Sequence, residues 1–376
     1  MDSALRPASG RGAEVYDLTS QTTLFKRDAQ LSRPPASVEK LYTSVALLSR
    51  LGPSARLTTA VLGVGHLGRR GVWHGRLYLR GGGDPTLGAG TFNQAWNGGH
   101  GPTASQLVAQ LSARGIRRVT GGVAGDPSLF DAAPGGPNTG FAPDIPDIGG
   151  ELSGLAYDHG ATASGRSPGA FAARELVLTM RRAHIRTRAR PTTAPTPAGA
   201  VRLAEVSSPA MQTMLDLMNV RSDDFFAEML TKQLGVRFGR GGTTAAGARV
   251  VSSVVARHGV DPKIVDGSGL SRSDRSSPQQ VVSLLRSVWH TAVGRELSST
   301  LPVVGVNGTT AHIGLHTRAQ GRCIAKTGTL DGVTNLAGFC HSRGGHMVAF
   351  ALFLDGPTLD RARVLLTRMV AAIASY

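Results

Sequence analysis

Ser37 and Lys40 are the residues whose types and spacing first suggest chemistry. A serine hydroxyl becomes an effective nucleophile when a base removes its proton. A lysine can be that base once it is neutral, which requires desolvation or nearby cations that lower its pKa. Residues three apart share one face of a helix, so this spacing predicts an amine beside the hydroxyl. The same pair is also consistent with an N-cap serine followed by a solvated lysine. Other segments of the chain are needed to distinguish the two interpretations.

The segment around this pair predicts the first turns of a buried helix. Apolar residues recur there at the spacing of one helix face, namely Val38, Leu41, Val45 and Leu48. Pro35 precedes the pattern and Gly52 ends it. Ser37 is therefore predicted at a helix N-terminus, where free backbone N–H groups and the helix dipole favour developing negative charge.

A second lysine opens the segment Lys326-Thr327-Gly328-Thr329, at the end of an apolar strand. Period-two alternation places Thr327 and Thr329 on one face of that strand. Two hydroxyls beside a lysine suit a terminal carboxylate. Gly328 has no side chain, so a ligand can lie close against the strand edge. A simple hairpin with a lysine near its tip gives the same local pattern.

Ser222-Asp223-Asp224 lies in a polar break between two segments, 209–218 and 225–234, that are predicted to be apolar helices. A hydroxyl in this break can relay a proton to a leaving amine if both lysines are its neighbours. The alternative is a helix N-cap, for which serine and aspartate are both well suited.

Taken in chain order, the three segments resemble the motifs of penicillin-binding proteins of the D-alanyl-D-alanine carboxypeptidase/endopeptidase family, low-molecular-mass class C. The matching motifs are Pro35–Leu41, Ser222–Asp224 and Ala325–Leu330. Further family-like segments are Gly83–Leu87, Asp266–Ser271, Leu301–Gly305 and Asn335–Phe339. The resemblance extends from about Val15 to Phe353.

This resemblance implies a serine carboxypeptidase or endopeptidase that acts on peptidoglycan peptides and is inhibited by β-lactams. It implies that Lys40 activates Ser37 and that Ser222 passes a proton to the leaving amine. The backbone N–H groups of Ser37 and Thr329 would bind the oxyanion. The predicted catalytic residues are Ser37, Lys40, Ser222, Asp224 and Lys326. The predicted substrate-binding residues, which would hold the terminal carboxylate, are Thr327, Gly328 and Thr329.

Asp224 departs from the family pattern, in which the second motif usually ends in asparagine. An asparagine amide can accept from a lysine and donate to a substrate carbonyl, whereas an ionised aspartate only accepts. Either substrate positioning is weaker in this chain or Asp224 is protonated. The departure leaves open a peptidoglycan-binding protein with weakened catalysis. A β-lactamase or esterase that uses the same three motifs is the other alternative.

The composition limits the classes of partner and cofactor that the protein is expected to bind. The chain has 376 residues and a formal net charge of +16. No aromatic-interleaved basic motif accompanies this charge, so nucleic acid is not expected as a partner. The charge favours solubility and weak attraction to polyanions such as an acidic cell envelope. The cysteines and histidines lack metal-ligand spacing, so neither a metal nor another cofactor is expected.

The expected location is extracytoplasmic, in the periplasm or cell envelope, because the implied substrate lies there. The sequence has no run of 18 apolar residues that would predict a membrane span. Met1–Arg6 lacks the charged-then-apolar pattern of a signal peptide, so we expect a leader to be absent from this chain.

Strand and helix patterns predict an α+β fold. They include a hairpin at 13–27, a strand at 118–125, three strands in 322–354 and a closing helix that contains Leu359 and Ile373. The resemblance implies a β-lactamase/transpeptidase-like antiparallel sheet flanked by helices, with an inserted smaller domain. The predicted domains are a catalytic domain, 1–60 with 203–376, and an inserted accessory domain, 61–202.

The two cysteines, Cys323 and Cys340, are equidistant from a turn centred between Asp331 and Gly332. If the flanking strands pair around that centre, the cysteines lie directly opposite each other, near the separation that a disulfide needs. We therefore predict a cross-strand disulfide or two neighbouring thiols. An intact bond would favour an exported protein. Two small buried apolar side chains are the alternative.

Overall fold

The computed structural model describes residues 10–136, 145–162, 166–187 and 189–376. Met1–Arg6, on which the expectation about a leader depends, lies outside these residues.

The strands of the described residues are Arg11–Asp17 (β1), Thr22–Arg27 (β2), Thr58–Leu67 (β3), Val72–Arg80 (β4), Arg118–Val119 (β5), Val123–Asp126 (β6), Arg186–Thr187 (β7), Thr192–Thr193 (β8), Val201–Ser207 (β9), Cys323–Leu330 (β10), Val333–His341 (β11) and Met347–Asp355 (β12). The α-helices are Lys40–Leu51 (α1), Gly90–Trp96 (α2), Ala104–Ala113 (α3), Ile145–Ile148 (α4), Pro168–Arg182 (α5), Met211–Arg221 (α6), Asp224–Phe238 (α7), Thr244–Ala256 (α8), Pro278–Val288 (α9), Ala292–Ser299 (α10) and Leu359–Ser375 (α11).

A five-stranded antiparallel sheet, in the order β10-β11-β12-β1-β2, is covered by helices on both faces. Strand β12 illustrates how the helices bury both faces of the sheet. Ala349, Ala351 and Phe353 belong to the core formed with α1, α6, α7 and α9, whereas Val348, Phe350 and Leu352 belong to the core closed by α11. Alternate residues of a strand face opposite sides of the sheet, so a strand with two buried faces has to be apolar throughout. The predicted α+β fold is confirmed.

A second, mixed sheet contains β3 to β9, in the path β7-β5-β4-β3-β9 with β6 paired to β4 and β8. Strands β3 and β4 pair antiparallel, whereas β4 pairs parallel with β5 and with β6. Helices α3 and α5 pack on this sheet and share one hydrophobic core with it. The predicted strand at 118–125 is wrong as a continuous element, because Gly122 adopts a positive φ of 78° and separates β5 from β6.

The division into a catalytic domain and an inserted domain stays a prediction. Its limits, 61 and 202, fall inside strands β3 and β9, both of which belong to the second sheet along their whole length. Limits near 58 and 207 would keep both strands intact. Sequence periodicity did not identify β9 as a strand, because its charged residues Arg202 and Glu205 interrupt the apolar pattern.

Candidate active site

Ser37 lies in a 3-10 turn, Ala36–Glu39, that leads directly into α1. The helix therefore begins slightly later than the sequence pattern predicts. The predicted spacing nevertheless brings the two functional atoms together, since the Nζ of Lys40 donates a hydrogen bond to the Oγ of Ser37 over 3.0 Å. Lys40 is fully buried, and Ser37 is partly exposed at the surface of the site. A hydroxyl and a buried amine are thus in direct contact.

Lys40 has further partners on two other elements. Its amine donates to the backbone carbonyl of Ser268 over 2.7 Å. It also forms a short ion pair with Asp224, the first residue of α7. The lysine is therefore held from three directions, by its own turn, by α7 and by the segment around Ser268.

Ser222 ends α6 in a left-handed conformation, with a φ of 60° and a ψ of 39°. Such a conformation is uncommon for a residue with a side chain. The N-cap of α7 is Asp223, which accepts from the backbone N–H of Phe226 over 2.9 Å. Because Asp223 serves as the cap, the Ser222 hydroxyl is free to accept from the Nζ of Lys326 over 2.8 Å.

Lys326 lies on β10, at the edge of the five-stranded sheet, with its side chain fully buried. Its amine also donates to the backbone carbonyl of Thr327 over 3.0 Å. The Thr327 hydroxyl donates to that of Thr309 over 2.7 Å, and Thr329 is exposed on the same face. The structure therefore presents one buried amine and three hydroxyls along one strand edge.

Gly328 packs against the turn that carries Ser37. A Cβ atom at this position would lie 2.5 Å from the carbonyl oxygen of Pro35 and 3.1 Å from the N of Val38. The predicted contact of Gly328 with substrate stays a prediction. The absence of a side chain lets the strand edge and the nucleophile turn pack in direct contact.

Burial governs the charges of this site. Burial raises the pKa of Asp224 above its usual range, although the positive charge and hydrogen bond of Lys40 act against the shift. Burial also holds the pKa of Lys326 well below its usual range, and the charge of Lys40 lowers it further. Burial therefore biases each of these side chains toward its neutral form.

Residues outside the predicted set complete the site. The amide of Asn335, on β11, donates to the carbonyls of Pro34 and Pro35 over 3.0 and 2.9 Å, which fixes the turn before Ser37. Its carbonyl accepts from Leu354. The sequence analysis found this segment and the Asp266–Ser271 segment to be family-like but gave neither of them a role.

A cavity of about 680 Å³ extends away from Asp224 and Thr329. Asp147, Arg272 and Asp331 also line it, so it carries charges of both signs. Among the residues that the structure describes, no group of three or more His, Cys, Asp or Glu side chains is placed to hold a metal ion. Within the same part of the chain, no helix is long and apolar enough to cross a bilayer.

The disulfide Cys323–Cys340 links β10 to β11 three residues before Lys326. The strands pair in the predicted register, with Cys323 opposite Cys340 and Lys326 opposite Ala337. Both cysteines are fully buried.

The fold and the contact between Ser37 and the buried Lys40 are those expected of a serine hydrolase. Comparison with known proteins agrees with this class. The family model of the D-Ala-D-Ala carboxypeptidase 3 (S13) family matches residues 2–144 and 146–374. The chain belongs to this family, which confirms the enzyme class that the motifs imply, a serine D-Ala-D-Ala carboxypeptidase.

Individual relatives cover most of the chain. Carboxypeptidase DacB of Mycolicibacterium smegmatis is 30% identical over 92% of this chain and 76% of its own length. Penicillin-binding protein 4 of Haemophilus influenzae has a similar structure, with a TM-score of 0.84 and 21% identity over 100% of this chain and 98% of that one. The same protein complexed with a β-lactam gives a TM-score of 0.78 at 22% identity, over 100% and 98% of the two chains. At these identities the structural likeness concerns the fold.

Proposed function

We propose that this protein hydrolyses peptides that end in D-Ala-D-Ala through an acyl-enzyme on Ser37, with Lys40 as the general base. The observation that carries the proposal is the 3.0 Å contact between the Nζ of Lys40 and the Oγ of Ser37, with the lysine wholly removed from solvent. In its neutral form this amine can take the serine proton.

The reaction proceeds in two steps. Lys40 removes the proton of Ser37, whose oxygen attacks the carbonyl carbon between the two D-alanines. The oxyanion is stabilised by the backbone N–H groups of Ser37 and Thr329. The proton taken by Lys40 is relayed through the Ser222 hydroxyl, which contacts Lys326, to the departing nitrogen, so the terminal D-Ala leaves as a neutral amine and Lys40 is neutral again. Water then attacks the ester while Lys40 takes a proton from the water and returns it to the Ser37 oxygen, so the shortened peptide acid is released and the Ser37 hydroxyl is regenerated.

The strand edge supports binding of a free carboxylate beside the scissile bond. Lys326 and the hydroxyls of Thr327, Thr329 and Thr309 form a polar site for such a carboxylate, which the terminal D-Ala of a pentapeptide supplies. The cavity beside Asp224 would hold the remainder of the stem peptide.

We further propose that β-lactams acylate Ser37 and that the protein acts outside the cytoplasm. A β-lactam ring opens by the same attack on a carbonyl, and the solved Haemophilus influenzae protein is described in complex with such a compound. The disulfide supports an oxidising compartment, since structural disulfides are rare in the cytosol.

The test is labelling with a fluorescent penicillin followed by a denaturing gel, for the wild type and for Ser37→Ala. We expect a labelled band for the wild type and none for the variant. Release of D-alanine from a synthetic pentapeptide, compared with cleavage of a crosslinked dimer, then tests the substrate. Fast release of D-alanine with an intact crosslink supports a carboxypeptidase. The reverse result assigns the endopeptidase activity instead.

The presence of Asp224 favours a second candidate function, that of a peptidoglycan-binding protein with weakened catalysis. An ionised carboxylate against Lys40 would keep the lysine charged and unable to act as a base. If folded wild type gives no band, whereas Asp224→Asn does, this candidate replaces the first.

A further inference from the structure

The segment Asp266–Ser271, with the sequence Asp-Gly-Ser-Gly-Leu-Ser, lies behind the catalytic lysine and has no part in the chemistry described above. Its contact with that chemistry is the backbone carbonyl of Ser268, which accepts from the Nζ of Lys40 over 2.7 Å. Ser268 is fully buried, so solvent does not compete for this bond. We refer to residues 266–271 as the carbonyl loop.

Glu228 clamps the carbonyl loop from α7. Its Oε1 accepts from the backbone N–H groups of Gly267 and Ser268, over 2.9 and 2.8 Å. Glu228 follows Asp224 by one helical turn, so a single face of α7 carries both a direct partner of Lys40 and the clamp for its second partner. The carboxyl is fully buried and connects two otherwise orphaned amides to the helix.

Two further clamps act on the same loop. Asp266 accepts from the backbone N–H groups of Gly269 and Ser271, over 2.7 and 2.8 Å, which closes the loop on itself. The Thr43 hydroxyl, one turn after Lys40 on α1, donates to the carbonyl of Gly267 over 2.9 Å.

The loop backbone is closely packed at two of its glycines. A Cβ atom on Gly267 would overlap the Thr231 hydroxyl on α7. A Cβ atom on Gly269, whose φ is +83°, would overlap the carbonyl oxygen of Ala36, immediately before Ser37. The loop backbone therefore touches both the helix that carries Asp224 and the turn that carries the nucleophile.

This arrangement matters because of the shape of an amine. A neutral lysine has two N–H bonds and one lone pair in a roughly tetrahedral arrangement, and the lone pair must face the hydroxyl whose proton it takes. If Asp224 and the Ser268 carbonyl accept the two N–H bonds, the lone pair is directed at the Oγ of Ser37, 3.0 Å away.

We propose that the carbonyl loop is the device that orients Lys40 toward Ser37, and that Glu228 is the positioning residue that holds it. The proposal rests on the proposed function in one respect, the use of Lys40 as the base. Glu228 acts through the loop and does not touch the reacting atoms.

The charge state of Glu228 fits an acceptor role. Burial, together with the charge of Asp266, raises the pKa of Glu228 to about 8. Other ionisable groups around the loop are Glu39, Lys40 and Asp274, and burial also raises the pKa of Glu39 and of Asp274 above the usual range. A protonated carboxyl still accepts through its carbonyl oxygen, so a glutamine can replace Glu228 with the same hydrogen bonds.

The experiment measures the second-order rate constant of acylation by a fluorescent penicillin from pH 5.5 to 9.5. The variants are Glu228→Gln, Glu228→Ala and Thr43→Val, with Leu230→Ala as the matched control. Leu230 is buried on the same helix, outside the hydrogen bonds of the loop, so its truncation reports the effect of a simple cavity. Thermal unfolding and hydrogen exchange of residues 266–271 are recorded for each protein.

We expect Glu228→Gln to stay within about threefold of the wild type and Glu228→Ala to lose about 100-fold, since a misplacement near 1 Å costs that much. The acid limb of the Glu228→Ala profile should also move to lower pH, because the ammonium form of Lys40 loses an acceptor. The acylation rate constant of Thr43→Val should lie between those of Glu228→Gln and Glu228→Ala. Its residues 266–271 should exchange hydrogen faster than in the wild type. Leu230→Ala should lower the melting temperature and leave the acid limb unchanged.

Two results would overturn the proposal. One is a Glu228→Ala protein in which the backbone amides of residues 266–271 exchange as slowly as in the wild type. Glu228 would then not be the residue that holds the loop in place. The other is a loop that exchanges faster while the acid limb matches that of Leu230→Ala, since the loop would then be structural only. A wild type that is not acylated at all defeats the proposed function itself, whereas hydrogen exchange of residues 266–271 in Glu228→Ala still reports whether Glu228 holds the loop.

Discussion

Replacement of Asp224 by asparagine is the change that most directly tests how the charges of this site set its activity. Asp224 forms an ion pair with Lys40, and an ionised carboxylate there stabilises the ammonium form that cannot act as a base. Asparagine keeps the size and the acceptor oxygen and adds an N–H donor for a substrate carbonyl. Both effects should favour acylation.

The magnitude follows from the contact. Unit charges about 4 Å apart interact by about 4 kcal/mol at an effective dielectric constant of about 20. An adjacent opposite charge commonly shifts a titration by about 1–3 pH units. Burial raises the pKa of Asp224, which offsets part of this interaction. We therefore expect the acid limb of the acylation rate to move about 1–3 units toward lower pH, with a gain of about tenfold or more at pH 7.

The assay is the acylation rate with a fluorescent penicillin between pH 5 and 9, for the wild type, Asp224→Asn and Asp223→Asn. The second variant is the control, because it removes a neighbouring carboxylate while an asparagine keeps the N-cap of α7. Its acid limb should move less than that of Asp224→Asn, because Asp223 affects the pair only through the pKa of Asp224. If Asp224→Asn has an unchanged acid limb, or a lower rate at pH 7, the electrostatic reasoning is refuted.

Three further predictions concern stability and packing. The disulfide closes a loop of sequence separation 17, so the double variant Cys323→Ala/Cys340→Ala should lose about 2–4 kcal/mol of unfolding free energy in urea, and an unchanged midpoint would contradict this. Gly328→Ala places a methyl group 2.5 Å from a carbonyl oxygen of the nucleophile turn, so acylation should slow by about 100-fold, while Gly90→Ala, in open space, should have no effect. Because the folded state raises the pKa of Glu228 from 4.5 to about 8, it holds a proton that the unfolded chain releases, and the free energy of unfolding should fall as pH rises from about 4.5 to 8. Urea unfolding of Glu228→Gln across that range should show a smaller decrease, and equal slopes for the two proteins would count against the assignment.

Much of the site could be predicted from local patterns. The Ser37–Lys40 contact follows from helical spacing, which fixes neighbours three residues apart whatever surrounds them. The pairing of Cys323 with Cys340 follows from the position of one tight turn, because a hairpin's register is set where the chain reverses. Both relations involve residues close in sequence, and the chain's own geometry limits the possible arrangements.

Other parts of the site depend on which elements become neighbours. Asp223 and Ser222 both fit a helix cap, and only the folded chain assigns the cap to Asp223 and turns the Ser222 hydroxyl to Lys326, 104 residues away. The close packing of Gly328 could not be predicted for the same reason, since the Pro35 carbonyl reaches it from a turn that is distant in sequence.

The motifs, the α+β class, the hairpin register and the spacing of Ser37 and Lys40 can be predicted from the amino-acid sequence, because they depend on local periodicity and turn chemistry. The charge environment of Asp224, the partners of Lys326 and the carbonyl loop behind Lys40 become visible once the chain has folded. Desolvation and long-range hydrogen bonds arise when separate elements pack together, and no single segment of the chain encodes that proximity.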